Sequence, residues 1–130
     1  RLILNTFGGS VYDGLGLIAA IEQSKTPVHT TAMGMAMSMG LFILAAGKKR
    51  FATRYSTLMY HQISSHVWDK LEGLKQDLKE GERLEAVCEE ILFRRSNLKP
   101  KHLKPYKQGK GEWYISPEEA LELKLIDKIV

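Results

Sequence analysis

The sequence is most constrained between residues 33 and 47. Methionine alternates with glycine, alanine or serine up to Gly40, and an unbroken apolar run then continues to Gly47. A period of two followed by a continuous apolar run predicts a strand that enters a buried helix through a tight turn. Ser38 is the only hydroxyl in this stretch, and at a helix start it is either a cap or a nucleophile near the positive end of the helix dipole. Taken alone, the stretch favours the cap, because capping serines are commoner.

Composition is that of one ordinary globular domain. The chain has 130 residues, of which 26% are charged and 44% hydrophobic, and we expect a single domain over residues 1–130. The formal charge of +4 comes largely from five lysines between residues 99 and 110. Such a cluster usually lies on a solvated surface, and without interleaved arginine and aromatic residues it predicts no nucleic-acid partner.

Cysteine content and hydropathy indicate the compartment. Cys88 is the only cysteine, so no intramolecular disulfide can form, and we expect a reducing, cytoplasmic location. No apolar stretch has the length of a membrane span, and no secretory signal is recognised. The chain begins without methionine, directly in a strand-like run, so we expect further residues to precede it. No Walker-type phosphate loop is present, and we expect neither a cofactor nor a metal.

The first half of the chain alternates strands and helices. Strands are predicted at residues 2–4 and 28–33, and helices at residues 12–24 and 38–46. This order is typical of a layered α/β fold. Gly8 and Gly9 follow the first strand at its carboxyl end, where such folds bind ligands, although a plain tight turn has the same composition.

The second half adds two short strands and a long helix. Strands are predicted at residues 50–54 and 57–61, and His61 ends the second. A lone histidine there is more often structural than catalytic. Residues 68–93 have apolar side chains at helical spacing, and such a helix would be about 39 Å long. Because a domain of this size is narrower, we expect the helix to project against another subunit; the alternative is an ordinary helix broken at one of its glycines.

The C-terminal region is predicted to contain two short helices and a strand. The first helix spans residues 99–107. Ser116, followed by proline and two glutamates, is a capping box that starts a helix ending at Leu123. Residues 126–130 close the chain as a strand.

Four ordered motifs resemble those of the proteolytic subunit of the Clp protease family (ClpP). N-T-F-G-G-S-V at residues 5–11 resembles the family loop N-S-P-G-G-x-V, and G-M-A-M-S-M-G at residues 34–40 resembles the nucleophile box G-x-A-A-S-M-G. M-Y-H-Q at residues 59–62 resembles the M-I-H-Q that carries the catalytic histidine, and residues 116–130 resemble the closing S-x-E-A-x-x-x-G-L-I-D-x-I. The likeness covers nearly the whole chain and is weakest over residues 64–114. Three positions depart from these patterns: Phe7, Met37 and Lys124.

The resemblance implies a fold and a reaction. The expected fold is the α/β ClpP/crotonase-like spiral of ββα units with a protruding handle helix, and residues 68–93 fit the handle. Ser38 would attack a peptide carbonyl, while His61 would take its proton and return it to the leaving amine. The backbone N–H groups of Gly9 and Met39 would form the oxyanion hole.

The resemblance also implies partners. Active members of the family are homo-oligomers of two stacked seven-membered rings, and they degrade unfolded polypeptides with the help of a Clp-type ATPase. We therefore expect a self-compartmentalised serine endopeptidase. The segment that gates the pore and contacts the ATPase in this family is expected to lie outside this sequence.

The third catalytic position departs from the family pattern. Counting back from Ser116 without a gap, the family's aspartate falls on Gln108. Glutamine can hydrogen-bond to His61 but supplies no charge for an imidazolium. Glu112 is the nearest acid, and a shifted loop could bring it to the histidine. The enzyme could instead use a dyad, and we expect weak activity because loss of the acid costs about four orders of magnitude in the Ser-His-Asp template.

Serine endopeptidase is the first of several interpretations. The second is a catalytically silent ring subunit, which Gln108 favours. A crotonase-type acyl-CoA enzyme shares the spiral fold, but Ser38 and His61 at the nucleophile and base positions count against it. A Ser–Lys enzyme of the signal-peptide-peptidase type shares the glycine and serine boxes, but the M-Y-H-Q box and the lack of a membrane segment argue against it.

Overall fold

The computed structural model describes residues 1–64 and 69–130, which form six strands and five α-helices. The strands are β1 (Leu2–Thr6), β2 (Thr30–Met37), β3 (Arg50–Ala52), β4 (Thr57–Tyr60), β5 (Trp113–Ile115) and β6 (Lys128–Ile129). The helices are α1 (Val11–Gln23), α2 (Met39–Ala46), α3 (Leu71–Arg95), α4 (Pro100–Pro105) and α5 (Pro117–Glu122), and a π-helical turn, Tyr106–Lys110, follows α4. The predicted mixed α/β organisation is confirmed.

Strand β2 is the centre of the sheet because both of its edges are paired. One edge pairs with β1 in parallel. The other pairs with β3 over residues 30–32 and then with β4 over residues 35–37. Strands β6 and β5 extend these two branches. The sheet therefore divides along β2, close to Gly34, which has φ +92° and lies where the pairing with β1 shifts register.

Helix α2 lies in the core because it is apolar on every side. All eight of its residues are buried, as the unbroken apolar run predicts. The helix packs against β2, α1 and α3. At its C-terminal end, Arg95 donates hydrogen bonds to the carbonyls of Ala45, Ala46 and Gly47. These bonds satisfy carbonyl groups that would otherwise be left without a partner at a buried helix end.

Helix α3 is continuous over 25 residues, from Leu71 to Arg95, and measures about 37 Å. It passes through both Gly73 and Gly81 without a break, so the alternative of a broken helix is wrong. The predicted start, Trp68, lies outside the described residues. No helix in the described part of the chain has both the length and the apolar character needed to cross a membrane.

Burial differs between the two halves of α3. The buried residues, Leu84, Cys88, Ile91 and Leu92, all lie in the C-terminal half. The N-terminal half exposes three large apolar side chains, Leu71, Leu74 and Leu78. Helix α3 is therefore anchored on the core by one half and leaves an apolar face uncovered on the other.

Strand boundaries are where sequence and structure differ most. Strand β2 runs from Thr30 to Met37 rather than over residues 28–33, so the alternation of methionine with small residues is itself the strand. Strand β5 was not predicted, since three residues between a lysine-rich segment and the Ser116 cap give no periodic signal. Strand β5 forms because it pairs with β4, and the local sequence gives no sign of this pairing.

Candidate active site

Ser38 lies where β2 turns sharply into α2. Its backbone has φ 52° and ψ −123°, a conformation that residues with a Cβ rarely adopt and that costs of order 1–3 kcal/mol. The Ser38 N–H donates to the carbonyl of Met59 at 2.9 Å, and its carbonyl accepts from the N–H of Leu41 at 3.0 Å. Its side chain makes no capping hydrogen bond to α2, so the cap interpretation is wrong.

The Ser38 hydroxyl is paired with His61. The distance from Ser38 Oγ to His61 Nε2 is 2.7 Å. Because β4 runs parallel to β2, with Met37 opposite Met59, the carboxyl ends of the two strands place these residues side by side. A hydroxyl within hydrogen-bond distance of an imidazole is the pairing that a serine nucleophile and its general base require.

The glycine pair packs against this turn. Gly8 and Gly9 have φ values of +106° and +148°. A Cβ on Gly8 would lie 2.7 Å from the Cβ of Ser38 and 2.9 Å from the carbonyl oxygen of Met37, so only glycine fits. A Cβ on Gly9 would meet no atom within 4 Å, which leaves the backbone there open to an incoming chain.

Gly9 and Met39 line the same cavity as Ser38. Met39 is the first residue of α2, and helix geometry gives its N–H no partner inside the helix. The positive end of the helix dipole lies at the same place. Both residues can therefore present backbone N–H groups to an oxygen that gains negative charge beside Ser38.

The cavity beside Ser38 and His61 is small and mostly apolar. Its volume is about 70 Å³, and its other walls include Val11, Phe42, Ile63 and Cys88. Sequence reasoning did not single out these residues as cavity walls. Phe42 could have been found from its spacing, since it is the fourth residue after Ser38 and therefore lies about one helical turn further on.

Cys88 brings a thiol to the cavity wall. Burial raises the pKa of its thiol to about 11, and the nearby carboxylates of Glu85 and Glu89 act in the same direction. A thiol with that pKa stays protonated near neutral pH and reacts poorly. Ser38, and not Cys88, is therefore the candidate nucleophile of this cavity.

The structure does not bring the two candidates for the third position into contact with His61. Gln108 is exposed in the π-helical turn, with non-helical angles of φ −99° and ψ 27°. Glu112 is also exposed and comes just before β5. Among the described residues, neither forms a hydrogen bond with His61. However, Tyr60 lies opposite Trp113 as the last pair of the β4–β5 ladder, so Glu112 and His61 are the residues that directly adjoin the end of this ladder.

Comparison with known proteins gives the family. The family model described as Clp protease matches residues 1–130. This chain belongs to the Clp protease family. The resemblance noted in the four motifs and the expected fold class are thereby confirmed.

Two relatives illustrate the extent of the likeness. The chain is 37% identical over 139 residues to the ATP-dependent Clp protease proteolytic subunit 1 of Prochlorococcus marinus strain MIT 9312. It is 34% identical over 132 residues to the ATP-dependent Clp protease proteolytic subunit of Deinococcus radiodurans. These alignments cover 99% and 100% of this chain but 66% and 64% of the relatives. The chain thus spans slightly less than two thirds of the length of these Clp protease family members.

We expect Gly8→Ala to lower both stability and any activity of the site. The added Cβ meets the Ser38 turn, and the positive φ adds backbone strain, so the free energy of unfolding should fall by about 1–3 kcal/mol. Gly16→Ala is the matched control, because its Cβ meets nothing within 4 Å on the exposed side of α1. Urea unfolding of both variants measures the difference; equal midpoints would contradict the packing described for Gly8.

Proposed function

We propose that this chain is a serine endopeptidase subunit that cleaves polypeptides through Ser38 and His61. The observation that carries the proposal is the 2.7 Å between Ser38 Oγ and His61 Nε2 at a strained turn. Such strain clusters at functional sites, where the surrounding structure holds it in place. Membership of the Clp protease family and the names of its relatives support the same reaction.

The proposed reaction follows the serine–histidine template. Ser38 Oγ attacks the carbonyl carbon of the scissile bond while its proton passes to His61 Nε2. The N–H groups of Gly9 and Met39 stabilise the oxyanion, and His61 then gives the proton to the leaving amine as the C–N bond breaks. Water, deprotonated by His61, hydrolyses the acyl-enzyme and frees Ser38 for another cycle.

Substrate preference is proposed from the cavity beside the nucleophile. Apolar walls and a volume of about 70 Å³ favour a compact apolar side chain next to the bond that is cut. A charged side chain there would lose its hydration without gaining a charged partner. We therefore propose unfolded polypeptides with exposed aliphatic residues as substrates.

Glu112 is proposed as the acid that orients His61. The support is the β4–β5 ladder, whose last pair, Tyr60 with Trp113, directly adjoins His61 and Glu112 in the sequence. A carboxylate can also stabilise an imidazolium, which Gln108 cannot. A rotation of the Glu112 side chain towards His61 is needed, since no hydrogen bond joins them among the described residues. Gln108, on which a gap-free count from Ser116 places the family's aspartate, is the alternative neutral orienter.

A ring assembly is proposed through the uncovered face of α3. Leu71 and Leu78 are 72% and 65% exposed, and side chains of that kind on a long helix indicate a partner surface. We propose that a second copy covers them in a homo-oligomer of two stacked heptameric rings, and that a Clp-type ATPase delivers substrate to it. The relatives' names describe ATP-dependent proteolytic subunits.

A catalytically silent ring subunit is the second candidate function. It is favoured by one observation, namely that neither Gln108 nor Glu112 is hydrogen-bonded to His61 in the described part of the chain. In that case Ser38 would not react with a serine-directed fluorophosphonate probe. Labelling of the assembled protein therefore distinguishes the two candidates.

We expect Ser38→Ala to abolish hydrolysis of a short fluorogenic peptide with an apolar residue before the reporter. Loss of the nucleophile should lower kcat by about three orders of magnitude or more. Ser24→Ala, at an exposed serine after α1, should keep the parent rate. Equal rates for the parent and Ser38→Ala would contradict the proposal, provided that both sediment alike.

We expect Glu112→Gln to lower kcat by up to about four orders of magnitude, because the imidazolium loses its counter-charge. Gln108→Ala should change the rate little. The exposed Glu118 of α5 provides the control variant Glu118→Gln. Reversed sensitivities of Glu112 and Gln108 in the same peptide assay would assign the orienting role to Gln108 instead.

We expect the parent protein to sediment as a large oligomer, and the double variant Leu74→Glu/Leu78→Glu to sediment as smaller species. Charges on this face of α3 would have to be desolvated in the contact. Leu121→Glu, at a partly exposed leucine of α5, is the control. It introduces a charge away from α3 and should sediment like the parent. A parent that stays monomeric at micromolar concentration would rule out the assembly.

A further inference from the structure

Lys107 forms two ion pairs with α3. Its Nζ lies 3.1 Å from Glu85 Oε2 and 2.7 Å from Glu89 Oε1. Both carboxylate side chains are only 14% exposed, and the lysine is 33% exposed. We call these three residues the carboxylate clamp. Lys107 belongs to the lysine cluster expected on a solvated surface, and for this residue that expectation is wrong.

The carboxylate clamp also binds both neighbours of His61. The hydroxyl of Tyr60 donates to Glu89 Oε1 at 3.2 Å, and Gln62 Nε2 donates to Glu85 Oε2 at 3.4 Å. Burial and the nearby Glu89 raise the pKa of Tyr60, so the phenol keeps the proton that it donates. The residues on either side of His61 are therefore attached to the same carboxylates as Lys107.

The segment that contains Lys107 also contains both candidates for the third position. Gln108 is the next residue, and Glu112 follows in the same loop. Tyr106 stacks on Trp113 with ring centroids 5.2 Å apart and an interplanar angle of 4°. Because Trp113 lies opposite Tyr60, residues 106–113 are attached to β4 by the strand pair and to α3 by the clamp.

Removal of the Lys107 charge would leave two nearly buried carboxylates facing each other. Glu85 Oε1 is already buried and makes no hydrogen bond within the described residues, so this carboxylate depends on its other oxygen. Partial burial lowers the pKa of Lys107, but hydrogen bonds to Glu89 and Glu85 outweigh this and raise it. Lys107 therefore stays charged at neutral pH, and loss of its charge would remove the attraction that holds residues 106–113 to α3 and leave two partly buried carboxylates of α3 without a counter-charge.

We propose that Lys107 is a positioning residue, which through Glu85 and Glu89 holds residues 106–113 at the distance from His61 that catalysis needs. The inference rests on the proposed function for its catalytic part. It assigns to α3 a role in the geometry of the site, in addition to its place in the core. Lys107 itself touches neither the substrate nor the reacting atoms.

The test compares Lys107→Met with Lys107→Arg in the assembled full-length protein. Because a displacement of about 1 Å in a catalytic group can cost up to a hundredfold in rate, Lys107→Met should lower kcat for the fluorogenic peptide about tenfold or more. KM should stay close to the parent value, since the apolar cavity is unchanged. Lys107→Arg keeps the charge and should restore most of kcat. Lys101→Met, at an exposed lysine of α4, is the charge-matched control and should match the parent.

A second readout does not depend on activity. Trp68 and Trp113 are the only tryptophans, so a Trp68→Phe background makes Trp113 the sole source of tryptophan emission. Trp113 stacks on Tyr106, the residue that precedes Lys107. In that background Lys107→Met should shift the emission to longer wavelength and increase quenching by acrylamide, whereas Lys101→Met should do neither. If the parent hydrolyses no peptide, the proposed function fails. The Trp113 emission then still shows whether the carboxylate clamp holds residues 106–113 in place.

Two results would overturn the inference. One is a folded Lys107→Met protein with the parent's kcat and Trp113 emission. The other is a kcat that falls equally in Lys107→Met and Lys101→Met. If Lys107→Met does not fold, Glu89→Gln replaces it, since this variant leaves Lys107 paired with Glu85. It should lower kcat by a smaller factor with KM unchanged, and an unchanged kcat and emission would refute the proposal.

Discussion

The burial of α2 is the constraint on which the rest of the structure depends. A helix with no polar side chain apart from its flanking residues can only lie inside, and once inside it leaves backbone groups at both ends to be satisfied. Arg95 supplies donors for the carbonyl end. At the amino end, the Ser38 side chain makes no cap, and Met39, the first residue of the helix, lines a cavity. The incomplete end is where the site lies.

The sheet provides the complementary half of the site. Strand β2 carries Ser38 at its carboxyl end, and β1 and β4, which are its neighbours, end in the glycine pair and in His61. Three segments that are distant in sequence therefore converge because parallel strands finish at one edge. The change of partner along β2 near Gly34 allows β3 and then β4 to pair with the same side of this strand.

Local pattern was enough to predict the elements that carry the chemistry. The alternation and apolar run predicted a strand, a turn at Ser38 and the buried helix α2, although taken alone they favoured a capping role for Ser38. The four family motifs then identified Ser38, His61 and the N–H groups of Gly9 and Met39 as candidates. Pattern failed where structure depends on pairing between distant segments. Strand β5 exists through its ladder with β4, and Lys107 looked like one of several surface lysines until α3 was seen to bring Glu85 and Glu89 to it.

The strained Ser38 turn depends on residues that lie far from it along the chain. The turn is held by the Met59 carbonyl and by close contact with Gly8, and its hydroxyl is paired with a histidine 23 positions further along the chain. A nascent chain that has emerged only as far as Ser38 has none of the later partners. The pairing of Ser38 with His61 therefore cannot form until β4 has been synthesised and has paired with β2.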